Sequence, residues 1–256
     1  MKIKVLGSGT SQGVPVIGCK CNTCTSENIK DERMRASVFV ETSDSKILID
    51  TSIDFRRQML INKITDIDAV LFTHHHADHI FGLDDLRQIN QRLDKYIDIY
   101  GSKITLDEIS LTFRYIFDDE LIMHKCVPLV NLRTIENKKF YFRNTAITPI
   151  EVFHGRIKIF GYRIGNFAYL TDCSFIPEEE YHKFENLDLL IINALRHKPH
   201  PTHFNLEQAV ETAKLFKPKQ AYLTHLTHDI KHDETNNILP ENIKLAYDGL
   251  EIIIKD

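Results

Sequence analysis

Residues 69–79 read Ala-Val-Leu-Phe-Thr-His-His-His-Ala-Asp-His, an apolar β-compatible run that ends in four imidazoles and a carboxylate. This segment constrains the fold more than any other, because a strand must deliver a dense set of metal-ligand side chains to one place. In an extended backbone, residues two apart point the same way, so His74 and His76 can grip one ion while His75 faces elsewhere. Asp78 and His79 are then left for a neighbouring ion. Imidazole and carboxylate together suit zinc, manganese or iron.

Two ions need more ligands than one loop contains, so isolated His or Asp residues are expected at the ends of other apolar strands. Three occur. His154 follows the run Ile147–Val152, Asp172 follows Ala168–Leu170, and His225 follows Gln220–Leu223. Any one of them alone reads as a hydrogen-bonded histidine or a turn aspartate. Together with the His-x-His-x-Asp-His loop they form a convergent set at strand ends.

Further strands are expected at Lys2–Leu6, Ser37–Glu41, Lys46–Ile49, Ala69–Phe72, Ile97–Tyr100, Lys139–Phe142, Phe160–Ile164, Leu189–Ile192 and Glu251–Ile254. Helical periodicity marks Phe55–Ile61, Leu83–Gln91, Leu106–Tyr115, Pro177–Phe184 and Leu206–Phe216. Strands dominating the first third and returning later, with helices interposed, predict an α/β fold: two mixed sheets packed face to face, helices outside. With no repeat or linker, residues 1–256 are expected to form a single domain. The segment Ser102–Leu132 is expected to be helical, either as a cover for the active site or as an ordinary packed helix pair.

Three of the five cysteines crowd into Cys19, Cys21 and Cys24. An odd, clustered set argues for metal binding in a reducing compartment and against a disulfide framework. Three thiolates are one short of a tetrahedral zinc site. His228 is the expected fourth ligand, because the loop that positions His225 must pass close to it.

The loop Thr73-His74-His75-His76-Ala77-Asp78-His79, with His154, Asp172 and His225, closely resembles the metallo-β-lactamase superfamily. That resemblance implies an αββα sandwich with one metal on His74, His76 and His154, a second on Asp78, His79 and His225, and Asp172 bridging them. Asp50 is similar to the family's buried supporting aspartate. The stretch from Leu6 to Pro15, the cysteine knuckle and Thr224-His225-Leu226-Thr227-His228 resemble the phosphoribosyl cyclic phosphodiesterases of phosphonate breakdown. Gly7-Ser8-Gly9-Thr10 is too short for a P-loop and is expected to form a tight turn.

His197, His200 and His203 crowd into a proline-stiffened loop before the helix at 206. By resemblance His203 contacts the scissile phosphate and protonates the leaving oxygen, and with Asp78 it is a candidate catalytic residue. His197 and His200 are expected to line the pocket or the surface. The implied reaction is attack on phosphorus by a hydroxide held between two divalent ions, zinc or manganese, with a structural zinc on the cysteines.

The expected substrate is a small, cyclic phosphodiester. The alternatives are a tRNA 3′-processing nuclease, and a non-hydrolytic biosynthetic protein like the pyrroloquinoline quinone synthesis relative, which shares a similar knuckle. A formal charge of −4 gives no long-range attraction for nucleic acid, so no nucleic-acid partner is expected. No run approaches a membrane span, and Met1–Leu6 lacks the features of a secretion signal. A cytoplasmic location and, by resemblance, a homodimer are expected.

Overall fold

The computed structural model describes residues 1–255, and its strands divide between two seven-stranded sheets. The first sheet takes β1 (Lys2–Gly7), β2 (Ser37–Glu41), β3 (Lys46–Ile49), β4 (Ala69–Leu71), β5 (Ile97–Gly101) and β6 (Val130–Thr134). The second takes β7 (Phe140–Phe142), β8 (Thr145–His154), β9 (Ile157–Ile164), β10 (Phe167–Leu170), β11 (Leu189–Asn193), β12 (Gln220–Thr224) and β13 (Ile243–Leu245). The last strand, β14 (Glu251–Ile253), returns to pair with β1.

Side-chain alternation sorts these strands into layers. Val5, Val38, Ile47 and Ile49 face Phe167, Tyr169, Leu189 and Ile191 between the sheets. On the outer side of the first sheet, Leu6, Phe39, Leu48 and Val70 pack under α1 (Phe55–Ile61), α3 (Leu86–Leu93) and α4 (Lys103–Thr112). A one-turn helix, α2 (Ala77–Ile80), precedes α3, and α5 (Asp119–Met123) follows α4. On the outer side of the second sheet, Leu170, Ile192 and Leu223 pack beneath α6 (Leu206–Phe216), with α7 (His232–Asn236) beyond it. Burial on both faces explains why β11 is apolar at four consecutive positions.

Strand direction places the site. β3, β4, β5 and β6 run parallel, as do β10, β11, β12 and β13. β8 points the same way as β10, because both are antiparallel to β9. The carboxyl ends of β3, β4, β8, β10 and β12 therefore deliver Asp50, the 73–79 loop, His154, Asp172 and His225 to one edge of the sandwich.

Three expectations change. The segment Ser102–Leu132 is not helical throughout: α4, a 3-10 turn at Arg114–Phe117 and α5 are followed by β6, which contains Leu132. An edge strand reading Val-Asn-Leu-Arg-Thr, mostly exposed, carries little apolar signal; β13 escapes for a different reason, being only three residues long. Leu83–Gln91 divides into a 3-10 turn at Leu83–Asp85 and α3. In place of the expected tight turn, Gly7 ends β1 and Gly9 bridges to Arg35 and Leu226, and both serve close packing: a Cβ on Gly7 would lie 2.0 Å from the Arg35 carbonyl oxygen, and one on Gly9 2.8 Å from the Arg33 Cβ. Among the described residues no helix is long and apolar enough to cross a membrane.

Candidate metal centre

The apolar strand β4 is pinned at its end, where Phe72 N donates to Tyr100 O. The chain then leaves the sheet as the 73–76 loop and turns into α2, which buries Asp78 and His79. Close approach of Gly82 seats α2 against the loop after β3. Its N–H donates to Thr51 O, and a Cβ there would lie 2.2 Å from Ser52 O. Asp50, Asp172 and His225 all adopt left-handed backbone conformations, at φ 64°, 55° and 57°. Such conformations are uncommon for residues other than glycine, and the inward aim of these side chains depends on them.

Two groups of ligand-type atoms result, each confined within 4.8 Å: His74, His76 and His154 in one, and Asp78, His79, Asp172 and His225 in the other. Asp172 also groups with His154 and His203, so this carboxylate stands between the two sets. His74 Nε2 and His76 Nδ1 face each other at 3.0 Å. Two nitrogens bound to one tetrahedral ion would stand about 3.3 Å apart. In the second set His79 Nε2 lies 3.1 Å from Asp172 Oδ2 and 3.3 Å from Asp78 Oδ2, and His225 Nε2 lies 3.3 Å from Asp172 Oδ1.

Hydrogen bonds on the far side of three of the rings fix which nitrogen faces inward. His79 Nδ1 donates to Asp50 Oδ2 at 2.7 Å, and His154 Nδ1 donates to the Thr202 carbonyl at 2.7 Å. Thr73 Oγ1 donates to Asp50 Oδ2 and so accepts from His74 Nδ1 at 3.0 Å. Each bond leaves an Nε2 lone pair directed at the cluster, the pattern that supports metal-bound imidazole.

The donor set fits divalent cations. His79 Nε2 and both nitrogens of His225 are buried without a hydrogen-bond partner, although carboxylates stand within 3.3 Å of both Nε2 atoms. These oxygens stand near the ring nitrogens without forming hydrogen bonds to them. A cation there would satisfy groups whose burial is otherwise costly.

Titration behaviour separates the two sets. Burial, with the neighbouring His79 charge, holds His74 well below its ordinary pKa. Burial also opposes charge on His79, but Asp78, Asp172 and Asp50 outweigh it and hold its pKa well above the ordinary value. Asp172 is likewise driven down by His225 and His79 against its own burial. Burial thus disfavours charge on His74 and His76, whereas Asp78 and Asp172 are held as carboxylates.

His203 Nε2 approaches Asp172 Oδ1 at 3.0 Å, and burial lowers its pKa to about 4. Its Nδ1 meets Thr202 Oγ1 at 2.9 Å and His200 Nδ1 at 3.1 Å. His200 is thus brought into the polar chain leading to His203, whereas His197 is exposed. The three closely spaced histidines gave no means of separating these positions, because the loop between them is irregular.

Cys19, Cys21 and Cys24 converge on His228, their sulfurs 3.2, 3.4 and 3.5 Å from its Nδ1. Tetrahedral zinc would hold sulfur and nitrogen about 3.6 Å apart, so this set fits a closed structural site. The backbone N–H of Cys24 lowers the Cys21 thiol to about 6. Sequence reading missed Arg33, which is buried and donates to the carbonyls of Thr227 and Ile230 and to Asp31. It ties the segment after the cysteines to the loop carrying both His225 and His228, and only its tertiary partners reveal it.

Residues 45–226 match the family described as the β-lactamase superfamily domain. A Porphyromonas gingivalis protein named octanoyltransferase is 41% identical over 260 residues, 100% of this chain but 52% of that protein. The chain therefore spans about half the length of that relative. Among solved structures, a diphosphatase from the PhnP family superposes with a TM-score of 0.92 at 42% identity, covering 98% of this chain and 96% of that one. Zn(2+)-bound PqqB from Methylobacterium extorquens shares the fold, with a TM-score of 0.79 at 18% identity and coverage of 99% and 100%.

Proposed function

This chain belongs to the β-lactamase superfamily and, at 42% identity across 98% of its length, to its PhnP family; from that premise we propose that it hydrolyses a small phosphodiester, such as a ribose cyclic phosphate, at phosphorus. The observation that carries this reading is the Asp172 carboxylate standing between two His/Asp sets with the His203 ring 3.0 Å from it. In the proposed arrangement His74, His76 and His154 hold one zinc or manganese ion, Asp78, His79 and His225 hold another, and Asp172 is shared. Cys19, Cys21, Cys24 and His228 hold a structural zinc. The ions in the central pair would lower the pKa of a bound water and neutralise charge on phosphoryl oxygens.

The protein's own groups supply orientation and a proton. Thr202 Oγ1 can donate to His203 Nδ1, which leaves the Nε2 proton facing Asp172 and the site. Burial keeps that ring neutral at rest. A phosphodiester anion set against it would favour uptake of a second proton from solvent, and the charged ring can then give a proton to the departing oxygen and return to its neutral form. Asp78, buried on α2 beside His79, holds its position through contacts with His79 and His225.

The diphosphatase relative supports a second reading, cleavage of a phosphoric anhydride by the same groups. The octanoyltransferase name belongs to a protein about twice as long, and acyl transfer through a covalent intermediate would call for a nucleophile at the centre. Cys173, next to Asp172, is a poor one: burial raises its thiol well above the ordinary range, and its Sγ points to the Phe175 carbonyl.

The test is His203→Ala assayed on two diesters. A general acid contributes ~10²–10⁴-fold where the leaving oxygen needs a proton. Hydrolysis of a sugar phosphodiester should slow by about that factor, and hydrolysis of an aryl diester with a phenolate leaving group much less. Metal content and melting temperature are measured alongside. Equal slowing of both substrates in a fully metallated variant would assign His203 to phosphate positioning. Release of two monophosphates from a dinucleoside diphosphate, with no turnover of the cyclic ester, would favour the anhydride reading.

A further inference from the structure

The Asp78–His79 helix ends in an aromatic residue that the chemistry above does not use. Phe81 is 49% exposed, and as the residue three positions after Asp78 it lies on the same side of the helix as that carboxylate. Its neighbours are the buried Phe113, edge-on at 6.0 Å and 85°, and through Phe113 the ring of Tyr115 at 6.5 Å. Tyr115 is 43% exposed and is held by a hydrogen bond of 2.6 Å from its hydroxyl to Asp84. Gly82, the residue after Phe81, packs against Ser52, and the next residue of that loop, Ile53, is 47% exposed. These three residues leave large apolar surfaces in solvent, and Phe81 caps the one-turn helix that carries the candidate ligands Asp78 and His79. Two of them are rings fixed in place by a third ring and a hydrogen bond.

We infer that Phe81 and Tyr115 form a stacking lip for a planar aromatic group, such as a nucleobase, carried by the phosphodiester. The inference rests on the phosphodiester reading and adds a substrate class to it. A site built for bare sugar phosphates would gain nothing from exposing rings at its mouth, whereas a flat π-face can stack on a ring already held at one edge. Tyr115 brings the segment after α4 into contact with the substrate, so the region between Ser102 and Leu132 contributes part of the rim.

Two measurements test this. First, kcat/KM is compared for a base-bearing and a base-free phosphodiester in the wild type and in Phe81→Ala. The preference for the base-bearing substrate should fall by about 5- to 150-fold, the range that base–aromatic stacking supplies, and Phe81→Tyr should restore it. Second, the chain contains no tryptophan, so Phe81→Trp places a single tryptophan on the lip, excited selectively at wavelengths where tyrosine does not absorb. Adenosine monophosphate should quench it, and ribose 5-phosphate at the same concentration should not. Turnover of both substrates with a preference that Phe81→Ala leaves unchanged overturns the lip while leaving the hydrolase intact. If the wild type turns over neither substrate, the phosphodiester reading fails. The fluorescence result then decides the lip separately, equal quenching by both ligands or by neither counting against it.

Discussion

Asp50→Asn alters one atom of a fully buried carboxylate, and the structure says what must follow. Asp50 Oδ1 accepts from Thr73 N at 2.8 Å, while Oδ2 accepts from Thr73 Oγ1 at 2.8 Å and from His79 Nδ1 at 2.7 Å. The backbone N–H of Thr73 cannot turn away, so the single oxygen of asparagine must stay opposite it. The amide nitrogen then occupies the Oδ2 position as a donor facing His79 Nδ1. His79 can meet that donor only by carrying its proton on Nε2, the atom that faces the candidate ion. Asparagine tolerates the left-handed backbone at this position, φ 64°, so the change acts through the hydrogen bonds and not through backbone strain. Loss of such a supporting bond costs 10–100-fold in metal affinity, or about 1.4–2.8 kcal/mol. Competition titration against a chromophoric chelator gives the affinity, and the melting temperature of the metal-free variant shows whether the fold is intact. A folded variant that binds both ions with wild-type affinity would refute the claim that Asp50 sets the His79 tautomer.

Cys21→Ser should remove one ion per chain and lower the melting temperature, because structural metal binding is coupled to folding; a variant that keeps all its zinc by elemental analysis would defeat the knuckle assignment. Asp172→Asn, which tolerates the left-handed backbone found at φ 55°, should deplete both ions of the central pair, whereas His154→Ala should deplete chiefly one; equal losses would argue against a shared carboxylate. Asp248 accepts from Ser8 N and Ser8 Oγ on one oxygen and from Met34 N on the other. Either orientation of an amide in Asp248→Asn sets an NH₂ group against a backbone donor, so urea denaturation should show a loss of about 1–3 kcal/mol; unchanged stability would mean the loop after β1 does not depend on this carboxylate.

Legibility in the sequence followed physical locality. The strands β2 and β3 and the helices α1 and α6 have the boundaries that periodicity gave, because two-sided burial and amphipathic spacing are written in consecutive residues. The edge strands β6 and β13 were not legible, since β6 is mostly exposed and asks little of its side chains, while β13 is only three residues long. The candidate ligands of the central cluster could be picked out because they follow the ends of apolar strands, Asp78 and His79 in the dense loop after β4 and the others singly, and the structure gathers them at one edge. Asp172 was legible as a residue, but its position between the two ligand sets followed only from the family resemblance and not from local pattern, because it depends on β8, β10 and β12 ending side by side.

What the sequence determined by itself was chemistry and strand identity: which residue types stand at strand ends, which runs are buried on both faces, and that three cysteines lack a fourth partner. The tertiary structure alone decided direction and protonation. Three left-handed residues aim Asp50, Asp172 and His225, and distant partners such as Asp50 for His79 and Thr202 for His154 select which ring nitrogen faces inward. It also decided the roles of His200, Arg33 and Phe81, none of which stands out from its sequence neighbours. The physical reason is the same throughout: burial and periodicity are local properties of a chain, whereas the direction of a lone pair and the face a ring presents are set by residues tens of positions away.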